Sequence, residues 1–123
     1  MQSIALTFTP EISRLRSGAE VVMRNLIEGS DLPRPSYNHR VLDGGRLVAE
    51  IDVAYPGLKL GFEIDGFAYH SSVTAVEHDA TRDAALRRRG WTVPRIPASL
   101  LERSPASVLR MMRDELSAAA SRS

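Results

Sequence analysis

The sequence contains no cysteine. That excludes disulfides, a thiolate nucleophile and any Cys-based zinc or iron–sulfur site. No apolar run approaches the ~20 residues needed to span a bilayer. The first residues show no basic stretch followed by an apolar one, so no secretory signal is expected and a cytoplasmic location is. Net charge is nearly absent as well, at +1, and says little about partners. Lysine is almost missing: Lys59 stands alone, and the other basic residues are arginines. Arginine grips phosphates with a two-pronged fork where lysine offers a point charge. A GC-rich coding bias would produce the same excess of Arg and Ala, so both readings stand.

What remains is ordinary for one globular domain: 123 residues, 43% hydrophobic and 25% charged. A chain of this length buries a core without staples. One domain over 1–123 is expected, with a core from about 17 to 116. Residues 1–16 read as a lead-in or as the remnant of a longer chain.

Ser17 is placed to cap a helix, with Glu20 at the third position of a capping box and Gly29 as its stop. Three strands follow: Tyr37–Leu42, Arg46–Ala54 and Lys59–Asp65. Asp43-Gly44-Gly45 signals a hairpin and Tyr55-Pro56-Gly57 a second turn. After a loop from Gly66 to Thr74, Ala75–Arg89 reads as a helix stopped by Gly90. Trp91–Ile96 is a strand that Pro94 and Pro97 make short or confine to an edge. Ser104-Pro105 opens a last helix with Val108, Leu109, Met112 and Leu116 as its buried stripe, and a Ser/Ala tail that should fray. The order predicts an α/β domain: a mixed sheet of about four strands flanked by helices. The strands on either side of the crossover helix should be parallel.

The chemistry concentrates between Glu50 and Gly66. Strict alternation would put Ala49, Ile51 and Val53 on one face of the second strand and Glu50, Asp52 and Ala54 on the other. In the third strand, Leu60, Phe62 and Ile64 oppose Gly61, Glu63 and Asp65. An antiparallel pairing then brings Asp52, Glu63 and Asp65 together. Carboxylates so close repel. A divalent cation removes the repulsion, and oxygen ligands with waters left over suit Mg2+ or Mn2+. Acids at strand ends that simply pair with arginines would explain the same letters. His70 follows the acidic strand and could relay a proton. Asp79, Arg82, Asp83 and Leu86 share a helix face, and Asp83 with Arg87 reads as a surface ion pair. Arg87, Arg88 and Arg89 cluster at a helix C-terminus, where they serve the helix dipole or phosphates; Arg95 could add to them.

The ordered set Asp52, Tyr55-Pro56, Lys59-Leu60, Glu63-Ile64-Asp65-Gly66, His70, Asp79, Arg82, Leu86, Gly90-Trp91, Val93 and Arg95 resembles the very-short-patch-repair-like endonuclease domain. Within it, the set is similar to a bacterial group catalogued as a domain of unknown function (DUF559) in the restriction-endonuclease-like PD-(D/E)XK superfamily. The likeness runs from about Ser17 to Val108. It implies a restriction-endonuclease-like core in which Asp52 and Glu63 hold the metal. It also implies that Glu20 reaches the same site, in competition with the capping role. The superfamily motif usually ends in a lysine that helps orient the attacking water; here Asp65 stands in its place, and Lys59 lies at the other end of the strand.

The resulting expectation is a Mg2+- or Mn2+-dependent DNA endonuclease or nickase. Asp52, Glu63, Asp65 and His70 would be catalytic, and Asp52, Glu63 and Glu20 would ligate the metal. Arg82, Arg87, Arg88, Arg89 and Arg95 would hold nucleic acid. The rival is a non-catalytic nucleic-acid- or protein-binding module on the same fold. A further possibility is a fragment whose partner domain or protein supplies specificity, in a toxin–antitoxin, repair or defence setting.

Overall fold

The computed structural model describes residues 10–65 and 73–122. Helix α1 (Pro10–Glu28) leads into strands β1 (Ser36–Asp43) and β2 (Arg46–Tyr55). A 3-10 turn (Pro56–Leu58) precedes β3 (Leu60–Asp65). Helix α2 (Val73–Arg88), the short β4 (Arg95–Pro97), α3 (Ala98–Arg103) and α4 (Pro105–Arg122) complete the order. The strands form one sheet in the order β1-β2-β3-β4. The first two pairings are antiparallel and the third, across the α2 crossover, is parallel, as the sequence predicts. At the first hairpin Gly44 and Gly45 have φ of 58° and 85°. A two-residue turn with both central φ positive needs that freedom.

Apolar side chains gather on both faces of the sheet. The larger core joins Met23 and Ile27 of α1, Leu101 of α3, and Val108, Met112 and Ala119 of α4 to Val53, Tyr55, Leu60, Phe62 and Ile96. The smaller one sets Leu86 of α2 and Trp91 against Val41, Ala49, Ile51 and Ala54. Phe62 is fully buried, and truncating a ring so placed typically costs about 3–5 kcal/mol.

Four sequence expectations change. Helix α1 begins at Pro10, so Ser17 lies within it and the capping box does not form. The last helix does not fray early: it runs to Arg122 because Ala119, 2% exposed, docks in the larger core. The fourth strand shrinks to Arg95–Pro97, with only a single bridge from Thr92 to Leu60 before it. The six-residue α3 follows, a helix without a side-chain cap to announce it.

The fourth change matters most for function. Alternation holds along β3 but not along β2. Ile51 belongs to the smaller core and Val53 to the larger one, although residues two apart in a regular strand face the same way. Strand β1 does the same. Tyr37 packs with the larger core, whereas His39 sits 5.7 Å ring to ring from Trp91. The ladder pairs Tyr37 with Val53 and His39 with Ile51, and passes over Asn38 and Asp52 between them. Asn38 carries the left-handed φ of 51° that makes the reversal possible. Asparagine tolerates that conformation better than most residues. Asp52 therefore stands where both strands turn over.

Candidate active site

Three β2–β3 pairs, ending at Val53 with Phe62, hold the inner strands together. One residue further the β2–β3 ladder opens, while along its other edge β3 pairs with β4 from Glu63 to Asp65. Side chains take over the backbone groups this exposes. Asp52 Oδ2 accepts from the Ile64 backbone N–H at 2.9 Å. The Glu63 carboxyl in turn takes a hydrogen bond from the Asp52 backbone. The two acids thus meet at the fork of the sheet, while Asp65, which the antiparallel reading groups with them, acts on Arg95 and does not complete a cluster of three among the described residues.

Glu63 is largely enclosed. Burial pushes its carboxyl above the usual range; the Arg82 guanidinium pulls it down, and the Asp52 charge pushes it up again. Arg82 Nη2, from α2, lies 2.7 Å from Glu63 Oε2, with both side chains 15% exposed. Behind this pair runs an alternating chain of charge. Arg82 Nη1 is 3.5 Å from Asp83 Oδ1. Arg95 Nη2 donates to both Asp83 oxygens at 3.0 and 2.8 Å. Asp79 is 3.9 Å from Arg95, and Asp65 acts on Arg95 electrostatically. Asp83 therefore pairs with Arg95 and Arg82, not with Arg87 as the helix spacing alone suggests. Arg95 comes from β4, a neighbour that only the tertiary fold supplies.

On the far side of Asp52 lies a cavity of about 250 Å3 that α1 roofs, and Glu20 and Asp52 both line it. Glu20 lies within α1, not three residues after a helix start. Asp65 is half-buried on β3 beside Arg95. His70 and Gly66 lie outside the described residues. Arg87 and Arg88 are exposed in the last turn of α2. Arg89 bonds the Ala85 carbonyl oxygen at 2.9 Å and pairs with Asp43. Lys59 sits in the turn before β3, with Nζ 3.0 Å from the Arg89 carbonyl oxygen, where it caps the end of α2 far along the strand from Glu63.

Among the described residues, no three Asp, Glu or His side chains are grouped closely enough to enclose a metal ion. Mg2+ does not need such a cage. It keeps several waters and takes one or two carboxylates. The paired Asp52 and Glu63, hard oxygen donors whose charges repel, fit that requirement. Two participants escape sequence reading. Asn38 is marked only by an asparagine inside a strand. The use of Arg82 as the direct partner of Glu63 becomes visible only once α2 crosses the sheet.

No model of a known protein family matches the chain. Two uncharacterised proteins of Mycobacterium tuberculosis, from different strains, are 27% identical to it over 92 residues. The match takes in 75% of this chain and 34% of theirs, so the chain spans about a third of the length of the curated relatives it matches. Among solved structures, the catalytic domain of the homing endonuclease I-Bth0305I superposes with a TM-score of 0.56 and 19% identity, over 77% of this chain and 90% of that one. No described helix is long and apolar enough to cross a membrane. The four-stranded mixed sheet flanked by helices is the restriction-endonuclease-like α/β fold.

Proposed function

We propose that this chain is a divalent-metal-dependent endonuclease or nickase of the very-short-patch-repair-like type, acting on DNA in the cytoplasm. The observation that carries the reading is the meeting of Asp52 and Glu63 at the fork between β2 and β3. Two acids held this close raise each other's energy, and a fold needing only stability has no use for them there. The fold of a homing endonuclease catalytic domain supports the same reading.

Asp52 and Glu63 hold the cation, with Glu20 reaching from α1 and Asp65 from β3. A bound Mg2+ or Mn2+ would supply Lewis acidity toward a phosphodiester oxygen and lower the pKa of a water. His70 or Asp65 orients the attacking water or protonates the leaving oxygen. Arg87 and Arg88 suit the flanking phosphates as they stand. Arg82, Arg89 and Arg95 reach a phosphate only by leaving an acid. A phosphate-held complex weakens as salt rises. The test is incubation of supercoiled plasmid with Mg2+ or Mn2+. Nicking that disappears in Asp52→Asn and Glu63→Gln supports the proposal; its absence on several DNA forms, in wild type as in the variants, overturns it.

A second reading is a non-catalytic nucleic-acid- or protein-binding module. The Arg82 guanidinium already seated on Glu63 favours it. Calorimetric titration with Mn2+ separates the two: uptake that depends on Asp52 favours the nuclease, and DNA retention without metal favours the module. In either case the chain is one domain that works beside a further domain or partner protein, in a toxin–antitoxin, repair or defence setting. Relatives about twice as long suit that arrangement.

A further inference from the structure

The cavity beside Asp52 has a composition that metal binding does not explain. Only two of its lining residues are acids, Glu20 and Asp52. Most of the rest is apolar or aromatic, Val21, Met23, Tyr37, Val53 and Ile64, beside Arg24 and Asn38. Val21, on the α1 rim, leaves 57% of its surface exposed at the mouth. The Arg24 guanidinium carbon lies 4.1 Å from the centre of the Tyr37 ring, a cation–π contact that keeps a positive charge on the cavity wall. Arg24 follows Glu20 by one helical turn, so one face of α1 presents a carboxylate and then a guanidinium.

A largely apolar slot lined by an aromatic ring, a cation stacked on that ring and two carboxylates matches one kind of occupant. It is flat and apolar in its base, anionic at its phosphate, and close to the position of a metal. We infer that this cavity seats a single unstacked nucleoside of the DNA strand, next to the phosphate that Asp52 and Glu63 address. The inference rests on the proposed nuclease reading and adds a substrate class to it. At about 250 Å3 the cavity has room for on the order of eight waters, at ~30 Å3 each in the liquid. That suits one nucleoside and not a stacked pair. Because α1 roofs the cavity, a base still stacked in a duplex cannot enter. The preferred substrate is therefore DNA whose base is already out of the stack: a single-nucleotide bulge, a frayed end or a single strand. Extruding a base costs least where it is unpaired.

The test uses two duplexes, one with an unpaired 2-aminopurine nucleotide and one fully paired. Binding is measured in Ca2+ and nicking in Mn2+. Wild type should bind the bulged duplex about tenfold more tightly, within what one stacked base contributes. Acrylamide quenching of the 2-aminopurine should fall on binding, because the base is enclosed. Val21→Trp fills the mouth from the exposed rim and should abolish both the preference and the protection. Arg24→Met should weaken binding of the bulged duplex about fivefold, with Arg24→Lys recovering part of the loss. Equal affinities for the two duplexes in wild type, or a preference that Val21→Trp leaves intact, would overturn the seat. Asp52-dependent Mn2+ uptake accompanied by equal affinities sinks the seat alone. Loss of both Mn2+ uptake and nicking in wild type sinks the nuclease reading and the seat with it.

Discussion

Arg82 Nη2 bonds the Glu63 carboxylate at 2.7 Å and, from the same nitrogen, the Glu50 carbonyl oxygen at 3.0 Å. One guanidinium thus ties α2 to both strands that carry the acids. Arg82→Ala leaves an enclosed carboxylate without its partner, which is the costly way to break such a pair. A loss of roughly 1–3 kcal/mol is expected in urea unfolding, below the fully buried range because both groups keep some solvent. Arg82→Lys should recover less than half, since an ammonium cannot serve Glu63, Glu50 and Asp83 at once. A fully stable Arg82→Ala protein would show that the pair is ornamental.

Glu63→Gln should behave quite differently. Burial holds the Glu63 carboxyl above its ordinary range. The folded protein therefore keeps a proton there over a pH window in which the unfolded chain has lost it. The stability this contributes is complete below the unfolded pKa and declines as pH rises through the folded one. The neutral isostere should lack that decline. At pH 7 its stability should match wild type within about 1 kcal/mol or exceed it, the scale of one pKa unit. Nicking, in contrast, should fall by about two orders of magnitude or more, since each ~1.4 kcal/mol of lost transition-state stabilisation is tenfold in rate. Matched unfolding curves at pH 4.5 and 7, with a plasmid assay beside them, read both effects.

Gly61 is a site where one methyl should matter. A Cβ there would lie 2.6 Å from Ile51 Cγ2 and 3.2 Å from the Val53 carbonyl oxygen. Gly61→Ala should cost about 1–3 kcal/mol by overpacking. Part of that cost should return in Gly61→Ala with Ile51→Ala, so that the pair is less harmful than the sum of the singles. Because Gly61 pairs with Ala54 just inside the fork, the single variant should also lower Mn2+ affinity. A double-mutant cycle in thermal unfolding checks the coupling, and strict additivity would contradict it.

Tyr55 gives the alkaline counterpart. Its hydroxyl donates to the Pro33 carbonyl oxygen at 2.8 Å. Burial, with a smaller push from Tyr37, raises its pKa to about 12. The unfolded chain releases this proton near pH 10, so stability is complete below that point and falls as pH climbs toward 12. Tyr55→Phe should lose about 1 kcal/mol at pH 7 from the missing hydrogen bond. It should also show a shallower decline above pH 10. With one lysine in the chain, few other groups titrate there to obscure the difference.

Much of this architecture can be read from the letters. Gly44-Gly45 announces the hairpin. The run from Leu60 to Asp65 alternates as written, and its two neighbours are of the expected sense. What fails is any inference that assumes a strand keeps its period throughout. Asn38 reverses β1, and β2 reverses with it, so Ile51 and Val53 part company although the pattern alone makes them neighbours. Local signals also mislead at the helix ends. Ser17 has the right residue three positions on for a capping box, yet α1 starts at Pro10. Ala119 looks like tail and is core, because a small side chain can be the one that fits. Partners from distant segments, such as Arg95 for Asp83, leave no trace in spacing.

The turnover of β1 and β2 gives one hairpin two allegiances. Its inner half, with Tyr37, Val53 and Tyr55, closes against α1, α3 and α4, while its outer half, with Val41, Ala49 and Ile51, closes against α2 and Trp91. Each half can thus belong to its own cooperative foldon, with amide protons exchanging at its own rate. Asp52 is the seam between them. A cation held there would bind the two foldons into one, and hydrogen exchange would register it as slowed opening of the outer hairpin.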